Sequence, residues 1–133
     1  MVSHSTYDGQ FPGLYDNFYK YHADFVKLVE ENGVTVTDFG MVDSSEKAYE
    51  TADRILAARV DVLFCNMVTY ATSSVFAPVL KNANAPMILA ALQPREAMDY
   101  TKASTFMQLE NDNICSVFNW TYQKRCSKRI IND

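Results

Sequence analysis

The stretch VDVLFCNMVTYATSS, residues 60–74, decides the fold class of this chain. Residues 62–68 form an almost unbroken apolar run, without the alternation of a strand that has one face in water. Such runs are typical of strands in parallel sheets that helices cover on both faces. The run gives way to residues 69–74, whose hydroxyl groups favour the start of a helix. Because ligands of open α/β sheets bind beyond the carboxyl ends of strands, we predict a site at residues 69–74.

Helical and strand patterns alternate on both sides of this stretch. Apolar residues three and four apart over 14–29 predict an amphipathic helix that ends at Gly33. Residues 34–39 (VTVTDF) are predicted as a β-branched strand, and residues 43–44 as the cap of a second helix. The remaining predicted elements are a helix at 74–82, a buried strand at 86–92 and a helical stretch from Pro94 to about Met107. The alternation predicts an α/β fold with a doubly wound, Rossmann- or flavodoxin-like parallel sheet and helices on both faces.

Both ends of the chain depart from this pattern. The helix at 14–29 should follow an earlier strand, because parallel strands are joined through a crossover. Residues 1–6 carry no strand pattern, so we expect a sheet without its first strand, and a truncated chain. After residue 117 the composition changes and basic residues accumulate. We interpret residues 1–117 as an incomplete α/β domain and 118–133 as a poorly ordered basic tail, with binding of an acidic partner as the alternative.

Composition limits the possible classes of function. The 133 residues carry a net charge of −4, which argues against a general nucleic-acid surface. No apolar segment reaches the roughly 18 residues that span a bilayer, and residues 1–10 lack the pattern of a secretory signal. Cys65, Cys115 and Cys126 have no metal or redox spacing, which indicates free thiols in a reducing cytosol. We therefore expect a cytoplasmic protein that binds neither nucleic acid nor membrane.

Polar residues predict a ligand but no reaction. The sequence contains no HExxH, CxxC, glycine-rich phosphate loop or GxSxG motif. What remains are polar residues in loops where the carboxyl ends of strands should converge: Gln10, Thr69, Tyr70, Gln93, Glu110 and Asn111. Their side chains suit hydrogen bonds to a polyol, on which Phe11 or Tyr70 can stack. The segment ENDN at 110–113 is open to two interpretations, a contact to a cation or sugar, or a polar turn.

Five segments of the chain resemble a known family. They are YDGQFPGL at 7–14, FGMVDSSEKA at 39–48, TYATSS at 69–74, LQPREAMDY at 92–100 and MQLENDNICSV at 107–117. Their order and spacing are similar to those in the N-terminal domain of the L-arabinose and L-fucose isomerase family. The resemblance covers residues 7–117 and ends there, where FNWTYQKRCSKRIIND bears no likeness to the family.

The resemblance implies an aldose–ketose isomerase that moves hydrogen between C1 and C2 of an open-chain sugar through an enediol. The family uses a divalent metal, commonly manganese, held by carboxylate and histidine ligands in later domains. We therefore expect no cofactor in this chain and Mn²⁺ in the full-length enzyme. The family's N-terminal domain helps close the sugar pocket of a neighbouring subunit. By this resemblance Gln10, Phe11 and Gln93 bind the sugar, and Tyr70 and Asn111 are added from their loop positions.

Three hypotheses result from these observations. In the first, the chain is a truncated or frame-shifted piece of such an isomerase. It then contacts a pentose or deoxyhexose together with the remaining isomerase domains or neighbouring subunits of a homo-oligomer. In the second, it is a free-standing, non-catalytic module that binds a small sugar. In the third, it is an unfolded product, because a missing strand exposes apolar surface near residues 34–39. We favour the first hypothesis.

Overall fold

A computed structural model describes residues 1–111 of the chain. Within this range the fold is mixed α/β, with five helices and a parallel sheet of two strands. The helices are α1 (Thr6–Gln10), α2 (Leu14–Glu31), α3 (Ser45–Ala58), α4 (Ser73–Asn82) and α5 (Thr105–Asn111), and the strands are β1 (Leu63–Asn66) and β2 (Met87–Ala90). The predicted α/β class is confirmed at this level, and the predicted basic tail at 118–133 lies outside the described residues. In residues 1–111 no helix is both long and apolar enough to cross a membrane.

The predicted ends of the two longest helices are confirmed. Helix α2 stops before Gly33, which has a φ of 81° and donates its N–H to the carbonyl of Glu30 at 2.9 Å. Glycine adopts this left-handed conformation without the steric cost that a Cβ imposes. Helix α3 starts after Ser44, whose hydroxyl accepts the N–H of Lys47 at 3.3 Å. The end of α2 and the start of α3 are therefore determined by residues within a few positions of each boundary.

Strand β1 is buried on both of its faces, which explains why the sequence around it is apolar except for Asn66. The residues on one face pack with α3 and α4, and these are Leu63, Cys65 and Met67. On the other face the ring of Phe64 lies edge-on to Phe25 of α2, with 5.7 Å between centroids. Val68, just after the strand, packs with Phe18 of the same helix. Helices thus cover both sides of the strand that the sequence analysis placed at the centre.

Residues 1–3 lie between β1 and the segment at 40–42. Val2 makes isolated parallel bridges to Val42 on one side and to Met67 on the other. Its N–H donates to the carbonyl of Asn66 at 2.9 Å, and Val42 N–H donates to the carbonyl of Met1 at 2.9 Å. No strand forms within residues 1–6, but Val2 still bridges the backbones on its two sides, which the sequence analysis did not predict. Three residues are too few to carry a pattern, whereas neighbouring backbones can still pair with them.

The prediction of a strand at 34–39 is wrong, because residues 33–41 form neither a strand nor a helix. This segment first pairs with another backbone at residues 40–42, where Gly40 accepts a hydrogen bond from Met1 and Val42 forms a parallel bridge to Val2. Val34 is 42% exposed, which shows how little of this β-branched segment is buried. High β propensity describes a side chain that fits a sheet, and it does not supply the partner strand.

The helical stretch predicted from Pro94 to Met107 is also wrong. A turn interrupts it, since the side chain of Asp99 accepts the N–H of Thr101 at 3.0 Å. Helix α5 begins later, and the hydroxyl of Ser104 accepts the N–H of Met107 at 3.2 Å. Short polar side chains that bind nearby backbone compete with a continuous helix. The segment is therefore a turn followed by a capped short helix.

Candidate functional site

The predicted sugar-binding residues lie in segments that follow the parallel backbone segments. Gln10 ends α1 and Phe11 follows it, after the segment at 1–3. Tyr70 follows β1, Gln93 follows β2, and Asn111 is the last residue of α5. Gln10 and Gln93 are exposed, whereas the other three residues are half-buried. Gln10, Phe11, Tyr70 and Gln93 thus come after the carboxyl ends of parallel backbone segments, where open α/β proteins bind ligands, whereas Asn111 ends a helix.

These five residues are not assembled into one bonded cluster. The ring of Phe11 lies edge-on to that of Tyr7, with 6.3 Å between the ring centroids, and packs against the apolar cluster that contains Phe18. Asn111 donates its side-chain amide to the carbonyl of Met107 at 2.8 Å. Within residues 1–111 no hydrogen bond or ring contact joins any two of the five predicted residues. Their roles in sugar binding stay predictions.

The loop after β1 is more buried than the sequence analysis expected. Thr69 and Ala71 are completely buried, and the Thr69 hydroxyl donates to the carbonyl of Leu109 at 2.6 Å. Only Tyr70 and the residues from Thr72 onward reach the surface in this loop. The hydroxyl of Thr69 therefore anchors α5, and it is not available to a ligand.

A buried carboxylate organises this end of the sheet. Glu110 is only 1% exposed, and its Oε1 accepts hydrogen bonds from the Asn17 amide at 2.8 Å and the Tyr21 hydroxyl at 3.2 Å. Its Oε2 lies 3.2 Å from a guanidinium nitrogen of Arg95. We call these four residues the Glu110 network. Since both oxygens are engaged within the protein, the network accounts for this buried charge without a ligand.

The Glu110 network has a clear electrostatic consequence. Burial, followed by the negative charge of Glu110, raises the pKa of the Tyr21 hydroxyl above its ordinary value. Tyr21 therefore stays protonated at neutral pH and donates to the carboxylate. A protonated donor matched to an ionised acceptor makes the stronger class of hydrogen bond.

The same network sets the position of two predicted site residues. Arg95 belongs to the segment that carries Gln93, and Glu110 precedes Asn111 in α5. The network joins both segments to α2. Its longest connection in the sequence is the hydrogen bond between Asn17 and Glu110, which are 93 positions apart. The network thus fixes the residues next to Gln93 and Asn111 against α2.

The sequence analysis named Glu110 but missed its three partners. Asn17 and Tyr21 are four residues apart, a spacing that puts both on one face of a helix. That spacing was a usable signal for a shared partner. Arg95 gave no comparable signal, because its contact depends on how residues 92–104 turn.

A second polar cluster lies beside α1. The Tyr15 hydroxyl donates to the carbonyl of His4 at 2.9 Å and is 3.5 Å from a carboxylate oxygen of Asp43. Asp43 also pairs with Lys47 at 2.9 Å. Burial is the largest of the effects that raise the pKa of Tyr15, so this hydroxyl stays a donor. These contacts fix the loop that leads to Gln10.

The residues described here do not fit a manganese site. Within residues 1–111 no group of three or more histidine, cysteine, aspartate or glutamate side chains is placed to hold a metal ion. The Glu110 oxygens are engaged by nitrogen and hydroxyl donors. Accordingly, no chemical step in this chain is assigned to a metal.

A third polar cluster lies in the interior, between α2 and β1. His22 is 9% exposed; its Nδ1 is 3.2 Å from the side-chain amide of Asn66 and its Nε2 is 3.3 Å from a carboxylate oxygen of Asp38. Burial lowers the pKa of His22, and the nearby amino group of Met1 lowers it further. A neutral imidazole accepts the Asn66 amide at Nδ1, whereas its buried Nε2 lies close to Asp38 without a hydrogen bond to any described residue.

Comparison of the chain with protein-family models, with curated proteins and with solved structures finds no match.

Proposed function

We propose that this chain supplies the N-terminal α/β part of an aldose–ketose isomerase of the L-arabinose and L-fucose type. In this proposal it closes the sugar pocket at a subunit interface and acts with domains that carry the metal and the catalytic groups. The observation that carries it is the position of Gln10, Phe11, Tyr70 and Gln93 after the parallel segments. The resemblance of residues 7–117 to that family supplies the sugar and the reaction.

The backbone pairing supports a finer version of the fold. Residues 40–42, residues 1–3, β1 and β2 lie side by side in that order, with every pairing parallel. Helix α2 covers one face of β1, and α3 with α4 covers the other. We propose that these segments belong to a doubly wound, Rossmann- or flavodoxin-like sheet. In such a sheet the carboxyl ends of the segments converge on one crevice.

The exposed amides are the groups that this proposal needs. Gln10 and Gln93 project donors and acceptors into solvent, which suits vicinal hydroxyl groups of a pentose or deoxyhexose. Phe11 and Tyr70 are half-buried aromatic rings in the same set of loops. Because residues from only one chain leave such a pocket open, a neighbouring subunit of a homo-oligomer completes it in this proposal.

The test mixes this chain with an L-arabinose isomerase from which its own N-terminal domain has been deleted. Ketose formation from L-arabinose is measured with Mn²⁺ present, and L-fucose is tested with the corresponding L-fucose isomerase. We expect turnover in the mixture and none from this chain alone. Gln93→Ala should lower kcat/KM by about tenfold, as expected for one lost hydrogen bond to substrate.

The matched control is Asn84→Ala, which removes an exposed amide from the opposite, amino end of β2. It should leave kcat/KM of the mixture unchanged. A mixture without turnover, or turnover by this chain alone, contradicts the proposal.

A second function is a free-standing module that binds a small sugar without catalysis. It rests on the same exposed amides, which need no catalytic domain to bind a polyol. Calorimetric titration of this chain with L-arabinitol and L-fucitol separates the two functions. The module is favoured if the chain alone binds either polyol saturably, if Gln93→Ala weakens that binding, and if the mixture with the truncated isomerase forms no ketose.

A further inference from the structure

Arg95 lies at the carboxyl end of the sheet, in the irregular segment that follows β2. It is two residues after Gln93, one of the predicted sugar-binding residues. Residues 91–104 form neither a helix nor a strand, so regular structure does not order the backbone around Arg95. A long side chain on such a segment samples many rotamers unless a specific contact holds it. The position of the guanidinium therefore depends on a side-chain partner.

Glu110 is that partner. Its Oε2 is 3.2 Å from a terminal nitrogen of the Arg95 guanidinium. The carboxylate is itself held in place, because its Oε1 accepts hydrogen bonds from Asn17 and Tyr21 of α2. The side chain of Glu110 is 1% exposed, whereas that of Arg95 is 42% exposed. The pair therefore holds one end of the guanidinium from the interior and leaves much of the side chain in contact with solvent.

The negative charge of Glu110 is needed only by Arg95. Asn17 and Tyr21 are neutral donors, and the carbonyl oxygen of a glutamine would accept both of their hydrogen bonds. A buried ion pair contributes little net stability, because removal of the charges from water offsets their attraction. The specific effect of this buried charge is thus the orientation of an arginine at the carboxyl end of the sheet.

The oriented guanidinium keeps donors for a ligand. It carries five N–H groups in a rigid planar fork. Within residues 1–111 its only hydrogen bond is the contact with Glu110, which uses one terminal nitrogen. A donor that is already held in position binds a ligand without the entropic cost of ordering a long side chain. Arg95 therefore has both the donors and the fixed position of a binding residue.

The local charges determine which class of ligand fits. Glu110 balances the charge of Arg95, and the next residue, Glu96, adds an exposed carboxylate. Both carboxylates repel an anionic ligand, whereas a hydroxyl group accepts a hydrogen bond from an N–H and brings no charge. The surroundings of Arg95 therefore favour a neutral polyol over a phosphate or a carboxylate.

We propose that Arg95 is a further sugar-binding residue at the carboxyl end of the sheet, and that Glu110 is the residue that positions it. The guanidinium donates hydrogen bonds to hydroxyl groups of a neutral sugar that also contacts Gln93. This inference rests on the proposed function, in its isomerase form or as a free-standing module, because both forms bind a sugar at this end of the sheet.

The test measures kcat and KM for L-arabinose in the mixture of this chain with the isomerase that lacks its N-terminal domain. Arg95→Lys keeps a positive charge opposite Glu110 and removes the planar fork of donors. It should raise KM about tenfold and change kcat less than twofold, because the lost contact binds substrate and transition state alike. Arg54→Lys is the matched control, since Arg54 donates to the carbonyl of Phe39, before the paired residues 40–42. It should leave both constants unchanged.

Glu110→Gln separates the positioning role from a structural one. Glutamine keeps an acceptor for Asn17 and Tyr21, but its amide has no charge to attract Arg95. KM should rise about fivefold, while near-ultraviolet circular dichroism stays that of the unmodified chain. A purely structural ion pair would instead lower the melting temperature of this variant and leave KM unchanged.

A pair of inhibitors tests the class of ligand. L-arabinitol and the anion L-arabinonate have the same number of carbons and differ in charge. Their inhibition constants are measured in the same mixture, or their dissociation constants by calorimetric titration of the chain where the mixture forms no ketose. L-arabinitol should bind at least as tightly as L-arabinonate, and Arg95→Lys should weaken its binding about tenfold.

The outcomes separate this inference from the function on which it rests. Turnover in the mixture with an unchanged KM in Arg95→Lys overturns the inference and leaves the proposed function intact. Tighter binding of L-arabinonate also overturns it, because Arg95 then selects an anion. An unchanged KM in Glu110→Gln overturns the positioning role of Glu110. A mixture without turnover, together with a chain that does not bind L-arabinitol, overturns the proposed function and this inference with it.

Discussion

The carboxyl and amino ends of the sheet are built in opposite ways. At the carboxyl end a buried glutamate has hydrogen-bond partners on both oxygens, and these tie α5 and the loop after β2 to α2. At the amino end β1 presents unpaired backbone to an open cleft. The comparison shows that polar side-chain contacts join the helices and loops at the carboxyl end, whereas the amino end leaves backbone groups of β1 unpaired within residues 1–111. The two ends should therefore differ in stability, in pH response and in their tolerance of substitution.

The largest expected difference is between two phenylalanines of α2. Phe18 is completely buried next to Leu14 and Val68, so Phe18→Ala should lower the free energy of unfolding by about 3–5 kcal/mol. Phe25 lines the cleft and is half-buried, so Phe25→Ala should cost about 1–2 kcal/mol. Urea titrations followed by circular dichroism measure both values. Equal losses would mean that the amino end is as tightly packed as the carboxyl end.

The next largest effect concerns the Glu110 network. Glu110→Ala leaves Asn17 and Tyr21 without their acceptor, and should destabilise the chain by about 2–3 kcal/mol. The value is below that for a fully buried ion pair because Arg95 is 42% exposed and stays solvated. The matched control is Glu31→Ala, since Glu31 pairs with Lys27 at 3.8 Å on the surface. It should cost less than about 0.5 kcal/mol in the same urea titration.

A loss in Glu110→Ala no larger than in Glu31→Ala would show that the network does not hold the carboxyl end together.

The smallest effect is a pH dependence that originates at the amino end. Burial lowers the pKa of His22 from 6.5 and that of the Met1 amino group from 8.0. For each group the unfolded chain binds more protons than the folded chain at a pH between the two pKa values. Stability should therefore fall as the pH is lowered from 8 to 5.5. Asp38 acts in the same direction but below this range: burial raises the pKa of its carboxyl, and the Gly40 N–H, His22 and the Met1 amino group together outweigh burial and lower that pKa from 3.8.

Thermal melts at half-unit pH intervals measure this dependence. His22→Gln should flatten the curve, and His4→Gln, which leaves His22 in place, should retain it. An unchanged curve in His22→Gln would assign the dependence to another group.

Local sequence was sufficient for the elements whose signals are local. The apolar run at 62–68 predicted a strand buried on both faces, and β1 lies inside it with helices on either side. Ser44 and Gly33 predicted helix ends correctly, because a cap acts within a few residues. Such features depend little on the rest of the fold.

Features that depend on a distant partner were not predictable. Residues 34–39 have the composition of a strand but no partner in residues 1–111, whereas Val2 has little pattern and two partners. The Glu110 network joins positions 17, 21, 95 and 110, and only the fold brings them together. The sequence order of Gln10, Tyr70 and Gln93 after parallel backbone segments could be read from the apolar runs, and their shared contact with a sugar stays a prediction.

The contacts of α5 also determine what a shortened form of this chain would lose. Removal of α5 takes away the acceptors of the Asn17 amide, the Tyr21 hydroxyl and the Thr69 hydroxyl at the same time. Because Thr69 is completely buried, its hydroxyl would then lack a partner inside the protein. A deletion near residue 105 is therefore felt in the first half of α2 and in the loop after β1, although these segments are distant in the sequence.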